Sequence, residues 1–399
     1  MPGRAGPPFS EVDFASFHES ELPGRVGANG ARAFAASRSL GALGLRIPEG
    51  HAYTYEPRDG TIAVRSGTER AETLVEIEPQ DFSDLTHDLA SAPGLLYGGR
   101  VQILRGESRR FLDWEPAWRA LFHGREVYDR RSIDLRDRRG AALDPARRFD
   151  ADDDPADIAH FLRAAGYVVV RGVFRPDEIA HFRAAGRALA SAASEDDGNS
   201  WWGITAGGEK RLTRVLDCRS KPELQSLTRE PRLTQLVDLF DPKLEPDVRG
   251  EAVTYLWKLP NVIEGLANLP WHRDCGMGGH AVQCPTLNVS VFLTRANRKS
   301  GGLWMLPGSA AFSCPSSLFA EDEPPGSILL EAEPGDVSLH SSDTMHAAFP
   351  PTGAGEMRES LIVTWKPPGA RPHDGQHHYN DAVKGQGGVP VAGRAPFQK

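Results

Sequence analysis

The residues best equipped for chemistry are His272 and Asp274, separated by Arg273, and His346 about seventy residues further on. Side chains alternate along an extended segment, so a His-x-Asp pair puts an imidazole and a carboxylate on the same side. With one distant imidazole, such a pair can occupy one face of an octahedral ion and leave the opposite face open. That is the 2-His-1-carboxylate arrangement of non-haem Fe(II) oxygenases. A His-x-Asp alone is common on surface loops, and a second motif downstream gives this one weight. Arg358-Glu359-Ser360-Leu361-Ile362-Val363-Thr364-Trp365 begins 12 residues after His346 and alternates as a strand, with Arg358 and Ser360 on one face. A planar guanidinium grips a carboxylate in a bidentate fork, and a hydroxyl two residues on adds a hydrogen bond. The pattern is a metal triad with a carboxylate clamp behind it.

Several elements must position these groups. Val253–Lys258 reads as a strand leading through a Pro260 and Gly265 loop to His272. Thr286–Leu293 alternates: Leu287, Val289, Val291 and Leu293 suit a core, whereas Thr286, Asn288 and Ser290 are small and polar. A face of small polar groups leaves room for a ligand, which makes Asn288 a candidate hydrogen-bonding residue. Upstream, a helix from Pro155 buries Ile158, Phe161 and Leu162 and stops at Gly166 before the strand Tyr167–Val170. Pro176-Asp177-Glu178 opens a second helix with Ile179, Phe182 and Leu189 inward. Glu195–Gly203 reads as a polar loop carrying Trp201 and Trp202. These two rings, with Met277 and Trp304, are candidates either for lining a substrate cavity or for ordinary packing. Asp336 after Gly335 is expected to form a turn rather than to bind metal.

Taken as a whole, residues 155 to 368 resemble the phytanoyl-CoA dioxygenase family of Fe(II)/2-oxoglutarate oxygenases. The resemblance rests on Phe161–Gly172, Trp271-His272-Arg273-Asp274, Asn288–Leu293, Gly302–Ser309, Gly335-Asp336, His346 and Arg358-x-Ser360, in that order. It implies a mainly β catalytic domain at 156–368, a double-stranded β-helix of jelly-roll, cupin-like form with bracing helices. It also implies Fe(II) on His272, Asp274 and His346, 2-oxoglutarate held by Arg358 and Ser360 with help from Asn288, and O2 as the oxidant. The implied reaction hydroxylates an unactivated C–H bond and releases succinate and CO2. In the related halogenases a small residue replaces the carboxylate, so Asp274 favours hydroxylation. One departure concerns spacing: the interval from His340 to His346 is a residue longer than the family pattern, which leaves the choice of histidine to geometry.

Before this domain, Ala52–Tyr55, Thr61–Val64 and Glu72–Ile77 read as short strands, Pro79–Leu85 opens a helix, and Leu95–Leu104 turns back into sheet. Phe111, Trp114, Trp118, Leu121 and Phe122 make a second apolar helix face. This order resembles a sterol-carrier-protein-like α+β domain over 45–128, a fold that encloses acyl chains or sterols and would make a lipid or acyl-CoA the natural substrate. Residues 1–44 are expected as a mobile or partly helical lead-in, 129–155 as a charged linker and 369–399 as a loosely ordered tail. A net charge of -8 argues against a nucleic-acid partner. No apolar run is long enough to span a membrane and no apolar leader opens the chain, so a soluble, cytoplasmic protein is expected. Four cysteines without CxxC spacing fit reduced thiols. Two other readings share these residues: a Zn(II) or other divalent cupin-like hydrolase, and a non-enzymatic lipid carrier with an inactive barrel.

Overall fold

The computed structural model describes residues 10–97, 99–131, 133–247, 253–264, 268–275, 286–319 and 322–368. Its first unit is built on a five-stranded sheet in the order Thr61–Ser66, Ala52–Arg58, Leu43–Arg46, Thr73–Ile77, Val101–Arg105. Leu43–Arg46 and Thr73–Ile77 run parallel and the other neighbours are antiparallel. The described part of the lead-in is helical as Phe14–Ser16, Phe17–Glu21 and Leu22–Ser37, and its last two residues, Leu43 and Gly44, already belong to the sheet. The reason is hydrophobic: Phe14, Phe17 and Leu22 are at most 2% exposed and join Tyr55, Phe82, Trp114 and Trp118 in one core. Leu95 and Leu96 depart from expectation, lying in the helix Ala92–Tyr97 with extension starting only at Val101. The helix Ser108–His123 forms as expected and ends on Gly124 in the left-handed region.

In the second unit the described residues form two sheets. The larger runs Val262–Glu264, Ser200–Thr205, Lys210–Val215, Val253–Lys258, Arg358–Lys366, Leu287–Phe292, Val337–Ser341, Tyr167–Arg171, Phe149–Asp150, with Glu245–Pro246 also pairing Arg358–Lys366. The smaller runs Leu269–His272, His346–Ala348, Leu303–Met305, Ile328–Leu330. This is the double-stranded β-helix. Phe149–Asp150 was expected in a linker, yet it adds a parallel edge to Tyr167–Arg171 because Phe149 is buried beside Phe161. Trp201 and Trp202 were expected in a loop, yet both lie in the strand Ser200–Thr205.

Strand alternation divides the larger sheet into two chemistries. Leu287, Val289, Val291, Leu361, Val363 and Trp365 share a core cluster with Ile158, Phe161, Phe182 and Leu189 of the bracing helices. The intervening residues, Asn288 and Ser290 on one strand, Arg358, Ser360 and Thr364 on the next, occupy the opposite face. Gly166 caps the first bracing helix at φ 87°, and a Cβ there would lie 2.4 Å from Thr344 Oγ1. Its carbonyl accepts from Ser341 N and Thr344 Oγ1, so the bare glycine lets the loop before His346 dock on the helix end. No helix among the described residues is long and apolar enough to cross a membrane.

The second bracing helix, Pro176–Ala192, passes so close to the sheet that a Cβ on Gly186 would lie 2.2 Å from the Tyr255 ring. Tyr255 cannot swing aside freely, because its hydroxyl donates to Glu359 Oε2 at 2.6 Å and Arg183 pairs with the other oxygen. Gly186→Ala is expected to destabilise the fold by about 1–3 kcal/mol through overpacking, less about 1 kcal/mol recovered in helix propensity. Urea unfolding measures this, and an unchanged midpoint would mean that the helix shifts without cost.

Candidate metal centre

His272 ends its strand directly opposite His346, and the rings lie 4.2 Å apart between centroids. Trp271, stacked on Phe319 and donating to the Asp322 carbonyl at 2.8 Å, anchors that strand from behind. The chain then turns so that Asp274 N and Cys275 N both donate to the Ser342 carbonyl. Ligand atoms of His272, Asp274 and His346 consequently all lie within 4.8 Å of one another. His272 Nε2 is 3.5 Å and His346 Nε2 3.6 Å from the Asp274 carboxylate.

Both imidazoles are oriented through their other nitrogen. His272 Nδ1 lies 2.6 Å from the Pro270 carbonyl and His346 Nδ1 2.9 Å from the Thr344 carbonyl. A carbonyl can only accept, so each Nδ1 carries a proton, and each Nε2 is left turned toward Asp274. Burial, then neighbouring His272, pushes the His346 pKa down to about 3. Burial opposes ionisation of Asp274, but His346, His272 and His340 outweigh it and hold its carboxyl well below the usual range. Such a donor set, two imidazole Nε2 atoms converging with one carboxylate, suits a divalent first-row ion.

Asn288, expected as a ligand-binding group, has protein partners on both ends of its amide. Its Nδ2 donates to Asp274 Oδ2 at 2.6 Å, while its Oδ1 accepts from Thr364 Oγ1 at 2.8 Å. Thr364 is its cross-strand partner in the larger sheet, so a hydroxyl–amide–carboxylate chain fixes Asp274 from the opposite sheet. His340, which spacing left aside, pairs with Asn288 on the other flank and brings Nε2 to 3.6 Å from Asp274 Oδ2. Thr364 and His340 carried a readable signal, since both fall on the polar side of alternating strands.

Arg358 and Ser360 are buried on the face that carries Asn288, as alternation predicts. Beside them the structure adds Lys258, which faces Arg358 directly across the ladder, is 0% exposed and donates to the Ala348 carbonyl. Burial, then Arg358 and Arg214, pushes Lys258 well below its ordinary value; burial and then Arg214 lower Arg358 to about 10. Arg214 also lies over the Trp201 ring at 4.8 Å. Trp201 is buried with Leu216 and Leu269. Trp304 does not face the metal residues: Met305 is the partner of His346, so alternation turns Trp304 to the far side, against Trp271 and Leu306. Met277 lies outside the described residues.

A jelly roll with this donor set at one end of its sheets has the architecture of the Fe(II)- and 2-oxoglutarate-dependent oxygenases, which use O2 as oxidant. Comparison puts the chain in that class: residues 162–360 match the family model described as phytanoyl-CoA dioxygenase (PhyH), and through this segment the chain belongs to the phytanoyl-CoA dioxygenase family. No curated protein matches the chain. Among solved structures, it is similar to AviO1 from Streptomyces viridochromogenes Tue57, with 25% identity over 55% of this chain and 98% of that one and a TM-score of 0.45. It is also similar to SnoN, a non-haem alpha ketoglutarate dependent epimerase from nogalamycin biosynthesis, with 20% identity over 62% and 94% and a TM-score of 0.46. A third is EctD from S. alaskensis with bound Fe, with 21% identity over 59% and 85% and a TM-score of 0.45.

The Thr364–Asn288–Asp274 chain yields a test. Asn288→Ala is expected to weaken Fe(II) binding by about 10–100-fold, and Thr364→Val by less, because each frees the carboxylate to rotate. Anaerobic Fe(II) titration reads the effect, and wild-type affinity in both variants would show that Asp274 is held by other means.

Proposed function

We propose that the protein hydroxylates an unactivated C–H bond of a small molecule, with Fe(II) held by His272, Asp274 and His346 and with succinate and CO2 released from 2-oxoglutarate. The observation that carries this reading is the convergence of three donor atoms within 4.8 Å, both imidazoles having Nδ1 committed to a carbonyl. When bound, Fe(II) with 2-oxoglutarate and O2 supplies the oxidising chemistry. His346 is the better second imidazole than His340, because neither nitrogen of His340 has a hydrogen-bond partner among the described residues to orient its ring. A carboxylate at Asp274, where a small residue would admit halide, supports hydroxylation.

Lys258 and Arg358 support 2-oxoglutarate as cosubstrate. Like charges directly opposite in a ladder repel, and buried cations lose their hydration. Both costs are offset when an anion lies between them, and the C5 carboxylate of 2-oxoglutarate is such an anion. Arg358 offers its fork and Ser360 its hydroxyl, with Lys258 adding charge from the neighbouring strand. Arg214 extends the cationic wall toward Trp201. The Zn(II) hydrolase reading gives these cations no work. Asn288 keeps Asp274 in place rather than touching the cosubstrate.

A lipid or acyl-CoA substrate draws no support from the amino-terminal unit. Its centre is filled by rings: Tyr55, Phe14, Phe17, Phe82, Phe111, Trp114 and Trp118 are all buried. We therefore read the substrate as a small molecule admitted at the barrel mouth.

Anaerobic addition of Fe(II) and 2-oxoglutarate is expected to give the visible charge-transfer band of the chelate. His346→Ala should abolish it, whereas Arg358→Ala and Lys258→Met should each demand at least about tenfold more 2-oxoglutarate, the loss of one charge-assisted contact of roughly 1.5–3 kcal/mol. The absence of a band in wild type would overturn the reading.

A further inference from the structure

Arg273 sits between two metal-binding candidates and points away from both. Its side chain is 8% exposed and donates to the carbonyls of Asp343, Phe312 and Ser309 and to Cys314 Sγ, with the Asp343 carboxylate 3.9 Å away. These partners belong to two segments, 309–314 and the loop just before His346. The second of these is tied to the first again: Met345 N donates to Ser309 Oγ at 2.9 Å, and Leu306 N donates to the Met345 carbonyl at 2.9 Å. Both metal-bearing segments therefore lean on residues 306–314.

The other side of 306–314 is held by the amino-terminal unit. Ser313 N donates to the Glu126 carbonyl and Tyr128 N to the Ser313 carbonyl, each at 2.8 Å. Tyr128 Oη donates to the Pro307 carbonyl at 3.1 Å, and Arg125 Nη2 to the Ala310 carbonyl at 2.9 Å. Behind these contacts the helix Ser108–His123 buries Arg119, 3.7 Å from Asp88, within electrostatic reach of Asp343. This packing is far more than a tether needs. Nothing in it touches the reacting atoms.

We propose, building on the metal assignment above, that residues 306–314 couple the amino-terminal unit to the iron site, with Arg273 as the positioning residue that transmits its hold to His272, Asp274 and His346. The unit then works as a fixed wall of the metal centre. A guanidinium is suited to the task because its rigid planar fork spreads five donors toward carbonyls on two segments, whereas an ammonium's three donors radiate from one point. Loosening the contact at Arg125 frees the 309–314 turn, which frees Arg273 and Met345, and the ligand atoms then spread.

The test uses the full chain as wild type, Arg273→Met, Arg273→Lys and Arg125→Met, with Gly186→Ala as a destabilised control on the opposite face of the large sheet. Two quantities are read, Fe(II) affinity from the charge-transfer band and hydrogen exchange of peptides covering 272–275 and 342–346. We expect Arg273→Met to weaken Fe(II) binding about 10–100-fold. Arg125→Met should weaken it several-fold, both variants should speed exchange in those two peptides, and Gly186→Ala should do neither. Arg273→Lys should recover only part of the loss. Wild-type Fe(II) affinity and exchange in Arg125→Met would overturn the proposal, as would equal changes in the Gly186→Ala control. If wild type gives no band, the metal assignment falls, and the exchange arm alone still decides whether the amino-terminal unit holds these loops.

Discussion

The ionised carboxylate of Asp274, held among imidazoles in a mostly enclosed site, is the constraint on which the other features depend. Two sheets meet at it. His272 and His346 are neighbours in the small sheet, whereas Asn288 and Thr364 are neighbours in the large one. Asp274 accepts from Asn288 and faces the two rings, so a single side chain registers one sheet against the other. Any slip of a strand by one residue would turn Asn288 outward into the helix-facing core and bring Val289 to the carboxylate. The apolar residues that pin the register, Leu287, Val289 and Val291 against the bracing helices, are therefore as necessary to the site as its polar members.

The same face of the strand Arg358–Lys366 serves two opposed electrostatic needs. Thr364 supports the anionic end through Asn288, and Arg358 with Lys258 makes the cationic end. A dicarboxylate that binds an ion at one end and a guanidinium at the other fits such a bipolar interior. Glu359 lies between Arg358 and Ser360 in sequence but points the other way, to Arg183 and Tyr255, so it does not neutralise the cationic end. Alternation alone keeps this acid and this base from meeting.

Much of the site was legible because its key residues obey local rules. His272-x-Asp274 and Arg358-x-Ser360 share faces by the period of two, and Gly166 ends a helix where the sequence places it. What escaped depends on partners distant in the chain. Asn288 was expected to meet the cosubstrate, and what its sequence did not show is that Asp274, 14 residues earlier, accepts from its amide. Lys258 reads as the polar end of an apolar strand, and only the pairing with Arg358 gives it meaning. Residues 14–37 show little periodicity since Gly, Ala and Arg dominate them, yet a few buried rings suffice to order them once the sheet is present. Trp304 misses the metal face by a single position of alternation, the same period that identified Arg358 and Ser360.

A protein that buries Lys258 and Arg358 face to face has accepted a cost in its empty state. Removing cations from water is unfavourable, and their mutual repulsion adds to it. With 2-oxoglutarate bound between them as proposed, the cost would be recovered and cosubstrate binding linked to fold stability: a ligand at about one hundred times its dissociation constant contributes roughly 2.7 kcal/mol to the folded state. Selectivity has its origin in the same physics. A neutral analogue of the cosubstrate would leave Arg358 and Lys258 without the anion that offsets their burial. A monoanion bearing only the metal-chelating end would fare no better, because its charge lies at the wrong pole. On the proposed assignment, the arrangement of charges in the barrel discriminates by the spacing of two carboxylates.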